Sequence, residues 1–265
     1  MKERGVISVL LLLTTCLQTL MAQKVVLYKT DGQTIECEAT ELDSIVFVED
    51  DLVLDDTHGI TNGHEWVDLG LPSGTLWATC NVGASSPEEY GDYFAWGEVE
   101  PKEEYNWETY KWCKGTSNTM TKYCQDREYG YNGFTDIHTE LRPEDDAATA
   151  NWGSAWQMPS LVQIKELIKS EYTTTEWTTQ GVKHGLVVTS KRNGNTLFLP
   201  AAGFWMGKRY FPVNQGISGM YSSRSLSLEQ FESNQTYELI FGSNRILWFS
   251  EYRDWGRSVR PVRKQ

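Results

Sequence analysis

Apolar and polar residues alternate in short runs along most of this chain, and turn residues interrupt the runs every few positions. Val25-Val26-Leu27-Tyr28, a turn at Asp31-Gly32 and the alternation from Thr34 to Glu38 predict a β-hairpin, with a third apolar run at Ile45-Val46-Phe47. Residues 24 to 49 thus read as a small N-terminal β unit, too small for much stability of its own. Residues 50 to 62 are acidic and rich in turn residues, which predicts a linker, so the main domain is expected over residues 63 to 262. Within it, Ser160 followed by Gln163 forms a capping-box pattern, and Leu161, Ile164, Leu167 and Ile168 share one helical face. A shorter helix is expected from Asp145 or Asp146 through Ala150, the carboxylate capping free amides at its start. Beyond residue 175 the period becomes that of strands: Gly185 to Ser190, a turn at Arg192-Asn193-Gly194, then Thr196 to Pro200. Together these elements predict an α+β, mixed and loop-rich fold preceded by a small β unit.

Composition narrows the function classes. At 265 residues the chain is long enough to bury a core. Its formal charge of −12 disfavours nucleic acid and anionic membranes as partners. Lys2 and Arg4, then the apolar run Val6 to Leu13 and Ala22 before Gln23, read as a signal peptide over residues 1 to 22. The apolar run is too short for a transmembrane span. The expected location is therefore exported: periplasm, cell surface or medium. Lipoprotein processing at Cys16 is the rival, and Thr15 before it is a poor match to the small residue such processing prefers. Export permits disulfides among Cys37, Cys80, Cys113 and Cys124, of which Cys113 and Cys124 could close one loop. Cys37 and Cys80 read equally well as small buried hydrophobes.

Several ordered blocks resemble a known family. Gly63-His64-Glu65-Trp66-Val67-Asp68-Leu69-Gly70-Leu71-Pro72-Ser73-Gly74-Thr75-Leu76-Trp77-Ala78 opens the series, followed by Tyr93-Phe94-Ala95-Trp96-Gly97-Glu98. Asp145-Asp146-Ala147-Ala148, Trp152-Gly153 and Trp156-Gln157-Met158-Pro159-Ser160 form a central block. Leu197 to Gly203 and Gly256 to Val262 close it. In this order the blocks resemble the Fibrobacter succinogenes major paralogous domain family. The resemblance implies a C-type-lectin-like fold on an exported protein of Bacteroidetes type. One position departs: Tyr221, in Met220-Tyr221-Ser222-Ser223, stands where the family carries Trp.

The resemblance and the residues together point to binding more than to chemistry. The sugar-binding signatures of calcium-dependent lectins are absent, and Asp145 and Asp146 read first as a helix cap. Neither a metal nor a cofactor is expected. The same broad fold hosts formylglycine-generating oxidases, but no Cys follows Cys124 and no His follows His184, so an enzyme is not expected. What remains is a surface of large aromatic and arginine side chains, the types that dominate recognition. Trp205, Tyr210, Phe211, Tyr221, Arg224, Phe249, Tyr252, Arg253 and Trp255 are the candidate binding residues, and Trp248 reads as core. The positive charge gathered at the C-terminus, in Arg253, Arg257, Arg260, Arg263 and Lys264, reads as local charge balance and a solvated tail. The expected function is an exported, non-catalytic module that binds a glycan or a surface protein, with a retroelement-diversified receptor as a special case. The alternative is a structural protein of the cell envelope, whose copies pack on each other. The sequence leaves the oligomeric state open.

Overall fold

The computed structural model describes residues 24–28, 34–38, 52–55, 57–228 and 233–264. Residues 1 to 22, read above as a signal peptide and including Cys16, and the run Ile45 to Phe47 lie outside the described residues. Two compact units divide the chain at Val48/Glu49. In the first, β1 (Lys24–Tyr28) pairs antiparallel with β2 (Thr34–Glu38), the hairpin expected from the sequence.

The second unit is mostly sheet. β3 (Leu52–Asp55), β4 (His58–Thr61), β5 (His64–Asp68) and β6 (Thr75–Ala78) follow one another as an antiparallel meander. The stretch expected to be a linker thus supplies two strands. Acidic and turn residues hide them in the sequence, because Leu52 to Leu54 is too short a run to weigh against Asp55, Asp56 and Gly59. The last strand, β17 (Val262–Lys264), returns to β6, and Val262 also exchanges backbone hydrogen bonds of 2.8 and 3.0 Å with Gln157. The end of the domain is stitched to its beginning.

A second five-stranded sheet has the order β15-β14-β13-β16-β7, formed by β7 (Tyr93–Phe94), β13 (Ser218–Leu226), β14 (Gln235–Gly242), β15 (Arg245–Tyr252) and β16 (Arg257–Ser258). β15 is its outermost strand. β9 (Thr173–Gln180), β10 (Lys183–Ser190) and β11 (Thr196–Pro200) form a third sheet, which contains the hairpin read from Gly185 to Pro200. A two-stranded pair joins β8 (Glu104–Tyr105) to β12 (Gly207–Lys208).

The helices sit where their caps predict. α1 (Ala147–Trp152) starts at Asp146, whose carboxylate accepts from the Thr149 amide at 3.0 Å and from the Met158 amide at 2.9 Å. α2 (Leu161–Leu167) carries the Ser160–Gln163 capping box. Its Ile164 and Leu167 pack against Leu186, Val188, Leu197, Leu199, Leu239 and Phe241, while Val162 faces solvent. A second core gathers Trp66, Trp96, Trp152, Trp156 and Tyr123. Most tryptophans of the family-like blocks are therefore interior side chains that build the scaffold. Cys80, Cys113 and Cys124 are free thiols, so the loop closure considered for Cys113 and Cys124 is not formed. Each of those two sulfurs lies 3.0 Å from a carbonyl, of Trp107 and Asp126 respectively.

Candidate functional site

Three of the candidate residues are structural. Arg253 is fully buried: Nε donates to the Tyr110 hydroxyl at 2.7 Å, Nη1 to the Tyr123 and Ser233 carbonyls at 2.8 Å, and Nη2 to the Lys122 carbonyl at 2.8 Å. The guanidinium also lies 5.1 Å from the Trp96 ring centroid and 5.2 Å from that of Tyr110. Tyr221 is buried, stacked on Phe241, and its hydroxyl donates to the Pro200 carbonyl at 2.9 Å while accepting from Asn81 at 3.2 Å. Burial pushes that phenol up to about 12. Arg224 is half-buried and committed to Gln157 at 2.5 Å and Glu140 at 3.1 Å. Neighbouring turn and charged residues suggested exposure for Arg253, but tertiary partners distant in sequence take it inside.

The other C-terminal arginines correct the charge-balance reading. Arg257 and Glu238 form an ion pair with both side chains fully buried, and Arg257 Nη1 donates to the Tyr252 carbonyl at 2.8 Å. Burial lowers the Arg257 guanidinium to about 9, so it stays charged at neutral pH. Arg260 is buried against the Asn81 side chain at 2.8 Å and the Ala78 and Thr79 carbonyls. Removing one partner from such a buried set would leave the rest uncompensated.

Trp205, Tyr252 and Trp255 gather at the loop that Arg253 and Arg257 hold. Trp255 stacks on Phe204 with ring centroids 5.0 Å apart, and Tyr252 meets Trp255 edge-on at 5.9 Å. Trp107 extends the row, 5.9 Å from Tyr252. It was missed in the sequence, where one Trp between Asn106 and Glu108 gives no signal beyond its own size. Tyr252 is 40% exposed, whereas Trp107 and Trp255 are half-buried. Trp205 is half-buried between Tyr93 and Tyr105 and backs the loop, exchanging backbone hydrogen bonds with Gly256 at 2.8 and 2.9 Å. Gly256 allows this approach, since a Cβ there would lie 2.6 Å from the Tyr105 ring.

Just past β12, Tyr210 and Phe211 are 95% and 77% exposed. β12 pairs antiparallel with β8, so the chain runs on to Tyr210 and Phe211 from the end of this pair opposite to that from which it runs on to Trp107. Phe249, half-exposed, stands on the edge strand opposite Glu238. Trp248, expected in the core, is only half-buried, with Lys165 Nζ 3.7 Å from its ring centroid.

Asp254 lies within this loop, 3% exposed, and its Oδ1 has no hydrogen-bond partner. Burial pushes its carboxyl up to about 7, with Lys102 opposing and Glu98 adding to the shift. Asp145, expected with Asp146 at a helix start, instead pairs with Lys122 and accepts from the Tyr123 hydroxyl at 2.6 Å. Among the described residues no three His, Cys, Asp or Glu side chains converge as a metal set. Among them, too, no helix is long and apolar enough to cross a membrane.

Compared with known proteins, the chain matches no family model, no curated protein and no solved structure.

Proposed function

We propose that this protein is an exported, non-catalytic binding module with a C-type-lectin-like fold, recognising a glycan or a surface protein through Trp107, Tyr210, Phe211, Tyr252 and Trp255. The fold reading rests on the ordered sequence blocks, whose tryptophans and arginines build the interior. One observation carries the functional reading: a row of aromatic rings on a loop that two buried arginines hold in place. Large exposed rings are costly unless something covers them. Rings presented on a rigid backbone lose little conformational entropy on binding, and flat faces suit stacking on a sugar ring or an apolar epitope.

The test separates binding from folding. Tyr252→Ala and a Tyr210→Ala/Phe211→Ala pair should leave the thermal midpoint nearly unchanged, because these side chains contribute little to the core. Each should weaken binding by about 1–3 kcal/mol, read by calorimetric titration with a ligand from a glycan or protein array. Loss of stability with unchanged binding would assign these rings to the fold.

A further inference from the structure

We infer that β15 is a homodimerisation edge, pairing antiparallel with β15 of a second copy about a two-fold axis at Trp248. β15 is the outermost strand of its sheet, and all eight residues pair regularly with β14, without a bulge. It also lacks proline, so none of these usual edge protections is present. The two-residue turn at Ser243-Asn244 makes Gly242 and Arg245 a hydrogen-bonded pair, and the Arg253 amide donates to the Asn234 carbonyl in the same register. Odd-numbered residues of β15 therefore bond inward to β14. The backbone groups of Ile246, Trp248 and Ser250 point outward, and among the described residues they have no backbone partner.

This alternation restricts self-pairing to registers that set even residues against even ones. Centring on Trp248 or on Phe249 gives the same overlap of seven residues, and of the two only the Trp248 register sets the opposite charges Arg245 and Glu251 against each other. Ile246 then exchanges hydrogen bonds with Ser250 of the second copy, and Trp248 with its counterpart. On the face carrying odd residues, Arg245 meets Glu251 of the second copy, and Leu247 meets Phe249 of the second copy. Each contact recurs by symmetry.

The strand thus places opposite charges and apolar groups against each other along its whole length. Arg245 is exposed, Leu247 half-buried and Phe249 half-exposed. Among the described residues neither Arg245 nor Glu251 has an ion-pair partner, and burial already pushes the Glu251 carboxyl up. The opposite edge of the same sheet, β7, is only two residues long and offers no comparable ladder. In the dimer Phe249 becomes a subunit contact. Both copies of Tyr252 and Trp255 would lie on loops at the ends of one continuous sheet, a bivalent arrangement that raises avidity for repeated ligands.

Sedimentation velocity over a wide concentration range tests the pairing without any ligand. The purified protein should show a species of twice the chain mass. Arg245→Glu and Glu251→Arg should each weaken dimerisation about tenfold or more, since each turns two attractive cross-strand contacts repulsive. The double charge swap should restore it. A wild-type protein that stays monomeric, a dimer indifferent to either single swap, or a double swap without recovery would overturn the inference. If the Glu251→Arg chain does not fold, hydrogen exchange decides: the Ile246, Trp248 and Ser250 amides should be slow in wild type and fast in Arg245→Glu. Equal exchange in both chains would overturn it.

Discussion

Arg253→Ala is expected to destabilise the protein by about 4–5 kcal/mol, close to the whole stability of a typical domain. The substitution removes a fully buried guanidinium and leaves the carbonyls of Lys122, Tyr123 and Ser233 and the Tyr110 hydroxyl without their donor. An unmade bond to a buried polar group costs about 1–3 kcal/mol, and the void left by a large side chain adds to it. Lysine should not rescue the loss, because one ammonium cannot reproduce the planar fork that reaches acceptors on three separate segments. Urea denaturation of the two variants reads the effect directly. A midpoint unchanged in Arg253→Ala would mean that the residue lies on the surface, as its neighbours in the sequence suggest.

Asp254→Asn should act in the opposite direction. The wild-type carboxyl is buried, and burial raises it from 3.8 to about 7. A carboxyl raised on folding contributes its full stability below pH 3.8 and loses it as the pH climbs through about 7. At pH 8 the folded protein therefore holds an unfavourable buried charge. Each pH unit between the two values is worth about 1.4 kcal/mol, so the asparagine variant should be more stable at pH 8 by up to about 4 kcal/mol. Asp146 and Glu251 are also raised by burial, so the informative quantity is the difference between variant and wild type. That difference should shrink toward zero near pH 4. A difference that stays constant from pH 4 to 8, or a less stable variant at pH 8, would contradict this assignment.

Local signals in the sequence were reliable wherever local physics decides the structure. Asp146 and Ser160 cap their helices because the acceptor lies within the same turn as the free amides. The hairpin from Gly185 to Pro200 follows from strand alternation around one turn. The interior arginines were not legible. Arg257 is matched by Glu238 on another strand and Arg260 by Asn81, and nothing near either arginine in the sequence announces its partner. Tyr221 shows the same limit, since its acceptor is the Pro200 carbonyl. The candidate site was legible in part: Tyr210, Phe211 and Tyr252 are exposed as expected, whereas Trp107 enters the row only through tertiary packing.

This division bears on a diversified receptor. Within residues 249 to 257, the exposed Phe249 and Tyr252 can change without emptying the interior, whereas Arg253 and Arg257 are fully buried and Trp255 packs on the Phe204 core. Variation in a binding loop would have to respect that alternation of exposed rings and buried anchors.

The central claim is that the exposed aromatic rings form the ligand-binding surface. Its most direct test is a glycan and protein array probed in parallel with the wild type and with a Tyr210→Ala/Phe211→Ala/Tyr252→Ala variant of equal thermal stability. The account predicts a defined set of ligands for the wild type, with their signals lost in the variant. The same ligands bound at the same strength by both proteins would contradict it.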